Sequence, residues 1–192
     1  MALFAEKGFK ATRVGDIESA AGLQPRRGAL YYHFASKEHL LEEGIRAYSE
    51  TVATGSAQIT ELVLPEIGPG DLPLVAPIVS ELGRWFLDTL DRQQDLVRVL
   101  EHDGHRLGDL AKRVRHDIVD TGADTAAHLL RSAVPRLQDP HANAVMLLNA
   151  LIGLRRTTWT FGHASLDDSR ALATWTGMVL GVIGAAVGQV QR

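Results

Sequence analysis

The sequence predicts an all-α fold, and three observations carry that reading. Apolar residues recur at spacings of three and four through almost every segment lying between turn signals, the period of a helix with one buried face. Alternating apolar runs bounded by turn residues, the mark of strands, are missing. Ala171 to Gly188 carries no charge, and its Gly177, Gly181, Gly184 and Gly188 share one helical stripe. With 192 residues, 45% of them apolar and 22% charged, the chain can bury a sizeable core as one compact unit or two closely packed subdomains.

In chain order, Leu3-Phe4-Ala5, Glu6-Lys7 and then Gly8 read as the end of a helix with glycine as its stop. About two turns precede Gly8, a marginal length for a packed helix, so the helix is expected to begin upstream of Met1. Thr12 is placed as the N-cap of the next helix, Val14 to Ala21, with Asp16 near its positive end. Gly22-Leu23-Gln24-Pro25 breaks that helix, and Arg26 to Tyr32 follows as another. Val14, Ile17 and Ala21 fall on one face, over which Leu23, Leu30 and Phe34 can close, giving the small unit its own core. Two short helices across a tight break form a helix-turn-helix. Its second helix leaves Arg26, Arg27, Gly28 and Tyr31 or Tyr32 outward, donors suited to phosphates and base edges. Gln24, where the chain approaches that helix, joins them as a candidate DNA contact.

Ser36 is the next N-cap candidate, opening a helix through Leu40, Leu41, Ile45 and Tyr48 and onward past Ala57. Lys37 stands at its start, where a cation opposes the helix macrodipole; an external anion such as a phosphate explains it, and a solvated lysine is the alternative. Pro65-Glu66-Ile67-Gly68-Pro69-Gly70-Asp71 marks a break or hinge. Beyond it, Asp71 caps Leu72 to Leu90, with Pro73 tolerated in the first turn. A shorter helix, Gln94 to His102, breaks near Gly104, and Leu107 to Ala133 ends before Pro135. Asp139-Pro140 opens Ala142 to Phe161 with Gly162 as stop, and Asp167-Asp168 opens the last helix, to about Val190.

The net charge of -3 does not by itself suggest a polyphosphate partner. Its distribution does. Met1 to Lys37 holds Lys7, Lys10, Arg13, Arg26, Arg27 and Lys37 against Glu6, Asp16 and Glu18, a local +3 that leaves -6 for the remainder. There is no cysteine, which excludes disulfides and thiolate metal sites and fits the cytoplasm. No basic, apolar leader precedes the first motif. Ala171 to Gly188 is at the short limit of a membrane span. The apolar helix before it favours another reading, in which the two helices of each copy form a four-helix interface in a symmetric dimer, with Trp159 and the four glycines in the contact. Burial of both within the monomer core is the alternative.

Residues with catalytic potential are sparse. His102, His105 and His116, with Asp103 and Asp117 beside them, could hold a metal as in a metal-dependent hydrolase, although Gly104 interrupts the helix that would align the first two. Arg155, Arg156 and Trp159 lie on an otherwise apolar helix, and Trp85-Phe86 on another. With His102 they are candidates for a ligand pocket. An arginine on such a helix needs a partner, either an acid of the fold or an anionic ligand. No nucleophile-base set or Gly-rich phosphate loop is present, so no enzyme activity and no cofactor are expected.

Read together, LFAEKGFKATRVGDI, SAAGL and GALYYHFASKEHLL resemble the N-terminal DNA-binding segment of the TetR family, the tetracycline-repressor-like transcriptional regulators. The resemblance covers roughly residues 3 to 48. It implies a helix-turn-helix domain over residues 1–48 and a helical ligand-binding and dimerisation domain over 49–192. It also implies a homodimer on a pseudo-palindromic operator, released when a small molecule enters the second domain. Carried over residue by residue, Thr12 and Arg13 meet phosphate at the start of the first motif helix. Tyr31 and Lys37 hold the backbone on the far side, and Arg26, Arg27 and Gly28 face the groove. This chain departs from the family pattern at the longer stretch from Gly22 to Leu30, at Glu18 where alanine is usual, and at a first helix cut short. Rival readings are the metal-dependent hydrolase and a helical interaction protein whose basic segment binds an acidic partner.

Overall fold

The computed structural model of the chain describes residues 1–25, 28–60, 64–68 and 70–188. Among the described residues the chain is helical throughout, with no strand. The helices are α1 (Ala2–Ala11), α2 (Val14–Ala20), α3 (Lys37–Thr60), α4 (Leu72–Arg92), α5 (Gln94–Asp103), α6 (Asp109–Val114), α7 (Thr121–Ala133), α8 (Pro140–Phe161) and α9 (Asp168–Gly188). Helix ends follow local chemistry. The Ser36 hydroxyl accepts the His39 N–H at 3.0 Å, Asp139 accepts from Ala142 at 2.9 Å, and Asp167 accepts from Arg170 at 3.0 Å, each satisfying a donor that a helix start leaves unpaired. Gly162, at φ 73°, closes α8 in the left-handed conformation that glycine adopts without steric penalty.

Two expected elements differ. The helix expected over Leu107 to Ala133 is divided into α6, a π-helical segment Arg115–Asp120, and α7. The helix expected over Arg26 to Tyr32 is described only as a single 3-10 turn, Ala29–Tyr32; Gly28 stands just before it at φ 69°, a backbone that cannot continue a right-handed helix upstream.

The chain forms two compact units, residues 1–53 with 93–118, and residues 54–92 with 119–192. In the first, Phe4 and Ala5 of α1, Leu41 and Ile45 of α3, Leu96 and Val99 of α5, and Val114 of α6 make the core, with Ile17 packed against it. The small motif therefore shares a core with α3 and α5 instead of closing on itself: Leu30 is buried, whereas Ala21 is exposed and Leu23 is 39% exposed.

In the second unit Val79 and Leu87 of α4, Leu147 and Leu151 of α8, and Leu172, Trp175, Val179 and Ile183 of α9 make the core. The indole N–H of Trp175 donates to the Leu147 carbonyl at 2.8 Å, fixing α9 against α8 and leaving the buried donor satisfied. The other side of that indole meets Gly83 of α4. A Cβ at Gly83 would stand 2.8 Å from the Trp175 ring and 3.0 Å from Leu172, closer than packed carbons tolerate.

Gly83→Ala should therefore destabilise the second unit. Alanine gains about 1 kcal/mol of helix propensity, but a hydrogen-bonded indole cannot retreat, and overpacking costs about 1–3 kcal/mol. Urea unfolding should show a lower midpoint for the variant; a midpoint equal to or above wild type would refute the close-packing argument.

Candidate nucleic-acid interface

The motif begins where α1 ends. Gly8, at φ 75° and ψ 162°, breaks the helix as its sequence position predicts. The peptide groups that follow are then held from three directions. Asp103, at the end of α5, accepts the Phe9 N–H at 2.8 Å. The Lys37 ammonium donates to the Phe9 carbonyl at 2.7 Å and to the Thr12 carbonyl at 2.9 Å, and lies 4.2 Å from the centre of the Phe9 ring. The Thr12 hydroxyl lies 2.8 Å from the Gly8 carbonyl and 3.1 Å from that of Leu3. Arg106 approaches the same Phe9 ring at 5.7 Å, and Phe4 stacks on it at 5.8 Å.

This geometry corrects two assignments. Lys37, expected on phosphate, is turned inward onto the carbonyls after α1, where a cation is favourable; that contact supplies the rationale which its own helix start lacks. Thr12, expected both as N-cap and as phosphate contact, is 1% exposed and closes α1, while Arg13 takes the N-cap position of α2 without a side-chain bond. Of the other candidates, Arg13 and Gln24 are exposed and Gly28 is half-buried. Tyr31 and Tyr32 are 55% and 86% exposed on the 3-10 turn, side by side with buried Leu30, which anchors them. Arg26 and Arg27 lie outside the described residues. Glu18, marked in the sequence only as a departure from the family pattern, is 1% exposed in α2, and its carboxyl oxygen accepts the Leu30 N–H at 3.3 Å, a contact that sequence reasoning missed.

The proposed ligand-pocket residues fall in both units. His102 is exposed on α5 in the first unit, while Trp85, Phe86, Arg155, Arg156 and Trp159 belong to the second. Phe86 and Trp159 pack on the core of that unit and Trp85 lies against Gly55, whose added Cβ would stand 3.2 Å from the indole. Arg155 is buried and has its acid within the fold. Its Nη1 and Nη2 donate to Asp168 at 2.6 and 2.8 Å, and its Nε lies 3.0 Å from Asp91. One guanidinium thus joins α8 to the start of α9 and the end of α4. The Asp168 hydrogen bond, opposed by burial and helped by the Asp91 charge, raises the Arg155 pKa; the same bond lowers that of Asp168. Arg156 is exposed.

For the hydrolase alternative, His102, His105 and His116 are all exposed and fall on α5, the turn after it and the π-helical segment. Among the described residues no group of three histidines or acids is close enough to hold a metal ion, so that reading lacks its ligand set.

On the second unit, α8 exposes Met146, Ala150, Gly153 and Thr157, and α9 exposes Thr174, Gly177, Met178, Gly181, Ala185 and Gly188. The exposed face of α9 is free of charge from Ala171 to Gly188, whereas α8 exposes Arg156 beside Thr157. A Cβ at Gly153, Gly177, Gly181 or Gly188 would meet nothing within 4 Å. Gly184 differs from its expected place: it sits at the edge of this face, with Leu72 of α4 at 3.4 Å from an added Cβ. Trp159, also expected there, packs inward. By length and composition α9 could cross a membrane, but one face of it belongs to the core of this unit.

Comparison with known proteins gives the same direction. Residues 1–43 match the family "Bacterial regulatory proteins, tetR family". The transcriptional repressor KstR2 of Mycobacterium tuberculosis is 49% identical over 47 residues; that stretch is 24% of this chain and only 22% of the repressor. The crystal structure of a protein from Mesorhizobium loti assigned to the TetR-family transcriptional regulators superposes with a TM-score of 0.69 at 16% identity, covering 96% of this chain and 91% of that one. The TetR-family regulator PfmR of Thermus thermophilus gives 0.65 at 22% identity, covering 94% and 93%. The chain therefore has the fold of these regulators, and the similarity in sequence is concentrated in the motif.

The Arg155–Asp168 pair generates a pH prediction. A carboxylate whose folded pKa is lowered contributes stability above its ordinary value and loses it as pH falls through the folded one. Stability of the wild-type chain should therefore decline below about pH 4 more steeply than that of Asp168→Asn, as read by urea midpoints across the acid range. Parallel acid limbs in the two proteins would show that the pair is not coupled to folding.

Proposed function

We propose that this chain, whose N-terminal segment is of the TetR family and whose fold is that of TetR-family regulators, is a DNA-binding transcriptional regulator. It works as a homodimer in the cytoplasm and represses from a pseudo-palindromic operator until a small molecule binds the helical domain. The observation that supports this best is the motif itself: a buried Leu30 holding Tyr31 and Tyr32 outward, with the preceding helix end clamped by Lys37 and Asp103; in sequence Arg26 and Arg27 come shortly before these tyrosines. Rigid support beneath outward donors is what a recognition element needs. The charge-free face of α9 and the exposed face of α8 before Arg156 are the proposed dimer contact, because glycines with open space above them let two helix backbones approach closely. Two recognition elements about 34–36 Å apart would then enter successive major grooves. Effector binding belongs to the second unit, where Trp85, Phe86 and Trp159 supply apolar surface.

Binding to a duplex from the chain's own upstream region should weaken steeply with salt, since phosphate neutralisation releases counterions. Arg26→Ala with Arg27→Ala should lower affinity for that duplex by about 1–3 kcal/mol per lost base contact and relax its preference over scrambled DNA. Unchanged affinity in the double variant would remove the proposed reading element.

The dimer contact has a separate test. Gly181 is exposed and an added Cβ there meets nothing within 4 Å, so Gly181→Leu should fold, while the dimer dissociation constant measured by sedimentation should rise by roughly tenfold or more. A dimer as tight as wild type would place the interface elsewhere.

A further inference from the structure

The connection between α2 and the recognition turn is held at both ends by one residue. At the near end, the Glu18 carbonyl accepts the Leu23 N–H at 2.8 Å while Ser19 accepts from Gly22 at 3.1 Å, with Gly22 at φ 72°. This is a Schellman closure of α2, which fixes the direction in which the chain leaves the helix. At the far end, the Glu18 carboxyl oxygen accepts the Leu30 N–H at 3.3 Å. Leu30 is 4% exposed, and its neighbours Tyr31 and Tyr32 are the most outward side chains of the turn.

From this we infer that Glu18 is a positioning residue for DNA recognition: its side chain sets where the turn carrying Tyr31 and Tyr32 sits relative to α2. Three features support that role over that of a polar group merely tolerated in the interior. A glutamate only 1% exposed is expensive to bury and needs compensating bonds. Gly22 and Gly28, on the α2 side and the turn side of the connection, are both left-handed, φ 72° and 69°, so neither α2 nor the turn extends through its flanking glycine as a right-handed helix. The Leu30 N–H is buried and lies at the start of a 3-10 turn, where no preceding helical carbonyl is available to it. Glu18 supplies the acceptor from across the motif. A residue there without an acceptor would leave Leu30 to find another partner by moving, and the two tyrosines would move with it. The inference rests on the DNA-binding reading above.

The test compares wild type, Glu18→Gln and Glu18→Met as full chains. Glutamine keeps an acceptor oxygen at the same reach; methionine keeps the volume and removes the acceptor. Each is titrated against the chain's own upstream duplex and a scrambled duplex of equal length, and the Leu30 amide is followed by hydrogen exchange. Glu18→Gln should stay close to wild type in both measurements. Glu18→Met should lose roughly tenfold of its preference for the upstream duplex, with Leu30 exchanging about tenfold faster, while scrambled-duplex binding and its salt dependence are retained. Loss of both duplexes in parallel with lower helicity would make Glu18 structural only and overturn the inference. So would a folded Glu18→Gln that loses the preference, or a Glu18→Met that keeps both preference and Leu30 protection. If wild type itself shows no preference for the upstream duplex, the DNA reading fails, and Leu30 exchange still decides whether Glu18 holds the turn.

Discussion

The peptide group of Phe9 is the point on which the first unit depends. Gly8 kinks α1 with a positive φ, and just beyond the kink the N–H and the carbonyl of Phe9 find partners on other helices. Asp103 takes the N–H and Lys37 takes the carbonyl, an acid from α5 and a base from α3. The same lysine reaches the Thr12 carbonyl, so the position from which α2 departs is set by α3. Charge-assisted bonds to backbone groups in a half-buried place are stronger than neutral ones. Removing either partner leaves the other facing an unmatched dipole. The orientation of α2 relative to α1 thus follows from contacts distant in sequence, and the short α2, with 7 residues, could not hold it by its own helicity.

A comparable constraint operates in the second unit, where a guanidinium and an indole stand in for Lys37. Arg155 ties α8 to Asp168 and Asp91, and Trp175 ties α9 to the Leu147 carbonyl. Polar ties inside an apolar bundle specify one arrangement of helices that are otherwise free to slide, because the Trp175 indole and the two terminal nitrogens of Arg155 each meet an acceptor at bonding distance, with Asp91 close to Arg155 Nε as an ion pair. With register fixed from within, the outer faces of α8 and α9 need no charges to orient them against the core. The α9 face can remain uncharged, with Gly177, Gly181 and Gly188 exposed on it, the composition that suits a close helix-on-helix contact.

Most of the fold was legible because helix boundaries are written locally. Ser36, Asp139 and Asp167 were readable as caps and Gly8 and Gly162 as stops, since each acts on backbone within four residues. The candidate site was less legible. Lys37 meets carbonyls 28 and 25 positions away, Asp103 meets an amide 94 positions away, and no periodicity reports such pairings. Thr12 has the residue type of an N-cap and serves the preceding helix instead, because Gly8 leaves its carbonyl within reach of that hydroxyl. Arg155 was recognisable as a residue needing a partner, and only the fold could show that two acids of the chain supply it. The π-helical segment Arg115–Asp120 has no sequence signature that we can name, and we have no physical account of it.

Turning Lys37 inward also changes the electrostatics of recognition. Lys7 is 3.5 Å from Asp16 and shares its charge with that acid. The cations left to meet phosphate in the motif are Lys10, Arg13 and the two arginines before the recognition turn. Each phosphate neutralised contributes to affinity through released counterions, and so few per chain give weak binding at physiological salt. In the proposed homodimer a second copy would double the set at a fixed separation, and the combined affinity would rise far more than additively because the second contact is intramolecular. A negative remainder of the chain works in the opposite direction, repelling the duplex wherever the motif does not hold it. On the proposed reading, a contact between copies through α9 would be as much a part of DNA recognition as the arginines, for it would let a modest basic segment act twice.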